Sequence, residues 1–381
     1  MDATRVFSDD YAAARERFRR AVEHAPWELE SFLIAPLGPK GERLTIDVAL
    51  APSDDSDRCL VVSSGLHGVE GFLGSAIQLA LLEQWTDRPK TRPRIRLVFL
   101  HGLNPYGFAW LRRCDEKNID PNRNFAMEGY AYSGSPPGYA ELDGLLNPKR
   151  SPSRWDGFPL NAMLAVARYG VPTLKQTVPS GQYEFPQGLF FGGTEPSCTN
   201  EIVSRHLAHL LGGCRRIVHL DIHTGLGPWA TPTLLIDSPL NGRQQERPPD
   251  WFGEGACDLS DSRGIAYAVR GSLGRWCVNL DPQRHYLFAT AEFGTYSPLR
   301  VLSGLRAENQ AHHWGKSGDP ATVRAKARLK ELFCPKSNRW RQLALERGLQ
   351  LVNRALSGLT SEAGSQPDSG PPPDSGILVC R

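Results

Sequence analysis

Apolar and polar positions along the chain fall into runs that read as alternating strands and helices. "ELESFLIAP" (Glu28–Pro36) and "RLTIDVAL" (Arg43–Leu50) alternate or run apolar between glycines and prolines, the pattern of strands. "DRCLVVSSG" (Asp57–Gly65) is continuously apolar, as expected for a strand covered on both faces. "GSAIQLALLEQW" (Gly74–Trp85) then has apolar residues at helical spacing, and "RIRLVFLHG" (Arg94–Gly102) is another buried strand. This strand, turn, helix, strand succession predicts parallel α/β architecture. "RRIVHLDIHTG" (Arg215–Gly225), "TPTLLIDS" (Thr231–Ser238) and "YLFATAEFGTY" (Tyr286–Tyr296) add three strands. Further helices are expected at Asp9–His24, Asn200–Leu211, Pro298–His312, Pro320–Phe333 and Arg339–Leu356. The stretch Asn118–Gln187 is rich in Pro, Gly, Asn and aromatics. It reads as long, ordered loops over one edge of the sheet, with helices only near Gly138–Leu146 and Pro159–Tyr169. The pattern as a whole predicts one α/β domain over residues 1–360, with a mixed, largely parallel central sheet flanked by helices. From Ser361 the composition turns Pro/Gly/Ser/Asp-rich, so residues 361–381 read as a disordered tail.

Composition narrows the classes. Of 381 residues, 40% are hydrophobic and 22% charged, the balance of a soluble globular protein. A formal net charge of +3 is too small to argue for nucleic acid. The densest basic run, "RERFRR" (Arg15–Arg20), reads as the solvated face of the first helix. No stretch approaches the roughly 20 apolar residues that span a bilayer, and the polar start lacks the core of a secretory signal. Eight cysteines are scattered without a C-x-x-C pair, which fits reduced thiols and a cytoplasmic location.

Candidate chemistry begins in "SSGLHGVEGF", where His67 and Glu70 lie in a Gly-rich turn just past a buried strand. Open α/β sheets place their sites there, and Gly65, Gly68 and Gly71 would let a substrate approach the backbone. The plainer alternative is a loop that happens to hold a His and a Glu. In "IVHLDIHTGLG", His219, Asp221 and His223 share a strand face. His223, last on that strand, is best placed to join His67 and Glu70, with Asp221 able to orient an imidazole and His219 reading as a packed core residue. Two His and one Glu leave a fourth position for water, the pattern of a catalytic zinc. Glu292 sits inside an apolar strand, where a carboxylate is costly unless it is functional or ion-paired. The loop Asn104–Phe125 supplies Arg112, Arg113, Asn122 and Arg123, suited to gripping carboxylates or an oxyanion if the loop is not simply solvated. His206 and His209, and likewise His312 and His313, read as surface residues. There is no G-x-x-x-x-G-K-[ST] and no G-x-S-x-G, which argues against nucleotide hydrolysis and serine esterase chemistry.

"HGVE", "NPYGF", "RCDEKNIDPNRNF", a His at a strand end and "EFG" follow one another in the order and spacing of the zinc carboxypeptidases (funnelins), which the chain resembles over roughly Ser63–Tyr296. "GQYEFP", "FGGTEP" and "DIHTGLG" bring it nearer to a bacterial branch beside the aspartoacylase and succinylglutamate desuccinylase group. The resemblance implies that His67, Glu70 and His223 bind Zn²⁺ and that Glu292 is the general base and acid. It implies that Arg113, or its neighbour Arg112, polarises the scissile carbonyl, and that Asn122 and Arg123 hold a substrate carboxylate. The family's usual N-P-D-G is Asn104-Pro105-Tyr106-Gly107 here, and its substrate-binding tyrosine could be Tyr267, Tyr286 or Tyr296. The expected activity is carboxypeptidase-like hydrolysis of an amide in a carboxylate-bearing substrate. The alternatives are deacylation of N-acyl amino acids or a modified small molecule and, third, a non-catalytic binding protein. A small peptide or acyl amino acid is the expected partner, with neither nucleic acid nor membrane.

Overall fold

Strands β1 (Glu28–Leu37), β2 (Arg43–Leu50), β3 (Arg58–Ser64), β4 (Arg96–His101), β5 (Arg216–Trp229), β6 (Pro232–Ile236), β7 (Cys257–Leu259) and β8 (His285–Gly294) form one mixed sheet. In this computed structural model the described residues are 3–53, 57–127, 129–153, 156–236, 251–252, 257–259 and 269–361. Among them the sheet has eight strands, in the order β1-β2-β4-β3-β5-β8-β6-β7. The central run β4-β3-β5-β8 is parallel, while β1, β2 and β6 pair antiparallel with β2, β4 and β8 respectively. The expected α/β domain is therefore present.

The continuous apolar runs are explained by two covered faces. Leu60, Val62, Leu97 and Phe99 join a core with the helices Tyr11–His24, Gly71–Asp87 and Asn338–Ser361. Their alternating neighbours Cys59, Val61, Val98 and Leu100 join another with Cys198–Leu211 and Leu273–Val278. On β5 and β8, Val218, Leu220, Ala289 and Ala291 belong to the first core. Ile217, Tyr286 and Phe288 belong to the second. The period of two thus puts His219, Asp221, His223 and Glu292 on the second face, toward the carboxyl ends of parallel strands. A third core links Tyr139, Leu142 and Phe190 to Val301 and Leu305 of Pro298–Trp314 and to Leu329 and Phe333 of Pro320–Phe333.

The structure differs from the pattern reading in several places. The helix Val171–Thr177 follows Phe158–Tyr169 directly, and both pack against the third core. The helix Leu273–Val278 and β7 are too short to leave a periodic signal. The run Arg15–Arg20 is solvated only in part: Glu16 and Arg20 are exposed, whereas Arg15 and Arg19 each lie 3.1 Å from the buried carboxylate of Asp47 on β2. A carboxylate removed from water requires such partners. His312 and His313 are half-buried rather than superficial, and burial pulls their pKa values down to about 3 and about 4. Cys59, Cys114, Cys198, Cys214, Cys277 and Cys334 are free thiols. No helix among the described residues is long and apolar enough to cross a membrane. The expected tail, 361–381, lies outside the described residues apart from Ser361, which ends the last helix.

Candidate metal centre

The turn after β3 delivers two side chains at once. Gly65 takes φ +70°, a conformation that favours glycine, and Gly68–Glu70 make one 3₁₀ turn running into Gly71–Asp87. At Gly68 it is backbone, not substrate, that needs the missing side chain. A Cβ there would lie 2.1 Å from the carbonyl carbon of Gly107. The N–H groups of Gly68 and Val69 donate to the carbonyls of Arg113 (3.2 Å) and Arg112 (2.8 Å). The loop carrying the arginines is thereby bonded to the turn carrying His67 and Glu70. From the other side β5 brings His223, in register with Glu292 of β8.

The two imidazoles meet at one carboxylate. His67 Nδ1 is 3.0 Å from Glu70 Oε1, and His223 Nδ1 is 2.9 Å from Glu70 Oε2. Behind them, His67 Nε2 is 3.1 Å from Asp120 Oδ1, and His223 Nε2 is 2.6 Å from Asp221 Oδ2. An ionised carboxylate only accepts, so Asp120 and Asp221 favour a proton on each Nε2, and a cation held at Glu70 would take the lone pair of each Nδ1. Burial alone would push the Glu70 carboxyl up, but His67 and His223 outweigh it and hold the group far below the usual range. Asp120 is likewise held well below its ordinary value, Arg113, Arg123 and His67 overcoming burial. The His223 imidazole is raised well above its ordinary value by Asp221 and Glu70, again against burial.

This set fits a metal ion. One donor atom from each of His67, Glu70 and His223 lies within 4.8 Å of the others, and all three residues are buried. His67 Nδ1 is buried with no hydrogen-bond partner. An unpartnered imidazole nitrogen aimed at a carboxylate is costly unless a cation lies between them.

Glu292 and Arg113 line the same cavity as these three residues. Glu292 Oε1 accepts the Leu226 N–H at 2.8 Å. Burial, then the charge of Glu70, raise its carboxyl to about 7. Arg113 reaches Asp120 Oδ2 with Nε (2.9 Å) and Glu70 Oε1 with Nη1 (3.2 Å). Arg112 points away: its Nε is 3.1 Å from Glu308 Oε1 and its Nη2 donates to Asn118 Oδ1 at 2.8 Å. The structure therefore does not bring Arg112 to the centre, so of the adjacent pair only Arg113 is placed there. Asn122 lines the cavity, its side-chain oxygen accepting the Leu273 N–H at 3.0 Å. Arg123 is buried behind it, with Nε and Nη2 on the Pro179 carbonyl (2.8 and 2.6 Å) and Nη1 on the Asn122 carbonyl (2.9 Å).

The tyrosine candidates separate. Tyr286 donates to His219 Nδ1 at 2.9 Å inside the core, Tyr296 donates to Glu331 at 2.7 Å, and Tyr267 lies outside the described residues. His219 is a hydrogen-bonded core residue. Its Nε2 lies 2.7 Å from Ser63 Oγ, and that hydroxyl donates to Asp221 Oδ1 at 2.6 Å. Pattern reading gave no role to Asp120 or Ser63. The signal for Asp120 was its place two residues before Asn122 in a motif already noted.

Comparison with known proteins adds a family and a fold. Residues 7–347 match the model of a family described as "Protein of unknown function (DUF2817)". No curated protein matches the sequence. Among solved structures, thrombin activatable fibrinolysis inhibitor is similar at 11% identity and TM-score 0.52, over 93% of this chain and 78% of that one. The bovine form of that inhibitor, in complex with tick carboxypeptidase inhibitor, is similar at 11% identity and TM-score 0.49, over 93% of this chain and 98% of that one. Carboxypeptidase A from Helicoverpa armigera is similar at 13% identity and TM-score 0.47, over 85% of this chain and 73% of that one. The first of these shows a shared fold.

Proposed function

The chain belongs to the DUF2817 family, and we propose that it is a zinc-dependent hydrolase of amide bonds. The observation that carries this reading is the meeting of His67, Glu70 and His223 in one cavity with Glu292 and Arg113. A Zn²⁺ ion held by the three ligands would act as a Lewis acid and lower the pKa of a water toward about 7. Glu292 takes a proton from the attacking water and returns it to the departing amine, a task suited to a carboxyl raised to about 7. Arg113 turns a guanidinium N–H toward the oxygen on which negative charge develops. Asp120 and Asp221 hold the imidazoles in the tautomer that leaves Nδ1 for the metal.

A carboxypeptidase-like substrate would present its carboxylate to Asn122 and Arg123. For Arg123 that means exchanging its bonds to the Pro179 carbonyl for bonds to substrate. Deacylation of N-acyl amino acids is the second reading: their α-carboxylate would meet the same residues, and the apolar cavity would receive the acyl group. The test is metal analysis followed by assays on blocked dipeptides and N-acyl amino acids, with chelation as control. Zinc near one equivalent and chelator-sensitive hydrolysis are expected. A metal-loaded protein that cleaves none of these amides would sink the hydrolase. Arg123→Ala should raise KM for carboxylate substrates far more than for their amides; equal effects would remove the anchoring role.

A further inference from the structure

We propose that the substrate carries a long hydrocarbon group on one side of the scissile amide, and that the cavity beside the metal centre takes it up. This rests on the hydrolase reading above. The cavity measures about 530 Å³, within the span of small-molecule sites. One of its walls is polar and comes from the strand ends that carry His223 and Glu292. The facing wall is built by helices. Leu142 and Leu146 come from Tyr139–Leu146, Phe158 and Ala162 from Phe158–Tyr169, and Val301 and Leu305 from Pro298–Trp314. Lys175 also lines the helical side.

The apolar lining continues outward. Val166, Val171 and Leu299 line the cavity and are also exposed, at 43%, 60% and 45%. A peptide main chain laid along these helices would leave its N–H and C=O groups facing side chains that cannot pair with them. A hydrocarbon chain loses nothing there and gains the contacts that the cavity walls otherwise lack. The helices that build this wall belong largely to the Pro- and Gly-rich stretch after Asn118, so the selectivity resides in that segment rather than in the metal-bearing turn.

The test uses the zinc-loaded full chain and two series of amides. In one, a straight acyl group grows from acetyl to dodecanoyl on a fixed amino acid; in the other, the acyl group stays acetyl and the amine side grows. In one series kcat/KM should climb about fourfold per methylene before levelling. Hydrolysis that is flat or falls with length in both series overturns the inference while leaving the hydrolase intact. Calorimetry with dodecanoate on metal-free protein gives a readout independent of turnover. Binding that tightens from octanoate to dodecanoate without hydrolysis of any amide keeps the cavity assignment and overturns the hydrolase. Absence of binding together with flat kinetics rejects the hydrocarbon site. Ala162→Trp, which narrows the cavity, should cut kcat/KM for the longest chain about tenfold or more relative to acetyl. Val166→Trp at the exposed rim gives the same reading if the buried substitution unfolds the protein. A length profile unchanged in the folded variant counts against the inference.

Discussion

Arg112 and Arg113 are neighbours in the chain and enter two buried charge clusters of opposite character. Around Arg112 the charges are closed. Glu308 receives Arg112 at 3.1 Å and Lys326 at 2.8 Å, and Arg112 also donates to Asn118 and to the Asp115 carbonyl. Around Arg113 the charges are left in excess. Glu70, Asp120, Asp221 and Glu292 bring four carboxylates beside two imidazoles, and one imidazole nitrogen has no hydrogen-bond partner. The difference teaches how to tell scaffold from site in a buried ionic cluster. A cluster whose carboxylate already has its cations holds helices together; one with carboxylates in excess of cations fits a cation added between them.

Substitutions should break the two clusters differently. Glu292→Gln should cost about 10²–10⁴ in kcat while leaving folding and metal content intact. Undiminished turnover would take Glu292 out of the chemistry. Glu308→Ala should do the reverse, lowering stability by about 3–5 kcal/mol in denaturant unfolding because the buried Arg112 loses its counter-ion. A change well under 1 kcal/mol would mean that this cluster is not structural. Arg113→Ala should lower kcat by about 10²–10³ with metal retained, whereas Arg112→Ala should register in the melting curve. Asp221→Asn should weaken metal affinity by about 10–100-fold in a chelator competition, since the Nε2 contact that fixes His223 is altered. The smallest and sharpest test is pH. Glu292 must be ionised to accept a proton, and burial holds its carboxyl near 7, so kcat/KM should fall as pH drops through about 7. A bound cation would draw that limb lower. A profile flat from about pH 8 to about pH 5 would rule Glu292 out as the base.

Much of this arrangement was legible in the chain, for identifiable reasons. Strand β3, its turn and the helix after it are local: apolar run, glycines and helical spacing lie within one continuous segment. The grouping of His223 with Asp221 follows from the two-residue repeat of a strand. What pattern could not supply was direction at loop positions. Nothing in "LRRCD" says which arginine turns inward, because adjacent side chains in an irregular loop diverge and the choice is made by the distant Glu308 and Glu70. The inward turn of Arg15 and Arg19 was hidden for the same reason: Asp47, which draws them, lies on another element. Asp120 was visible as a residue but not as a partner, since its contact to His67 spans 53 positions. Val171–Thr177 escaped because the helix is only seven residues long, and Gly170 at φ +75° separates it from the helix before.

The contact between Gly68 and Gly107 has a mechanical consequence. Gly68 sits against the Gly107 carbonyl, and a Cβ on Gly107 would meet the Asn104 amide at 2.6 Å and the Cys114 carbonyl at 2.7 Å. Two residues without side chains therefore let the turn bearing His67 and the loop bearing Arg113 close on one another. A methyl group on Gly68 would prise the strip bearing His67 from the strip bearing Arg113, and one on Gly107 would distort the arginine-bearing loop from within, so the His67–Glu70–His223 grouping depends on positions outside it.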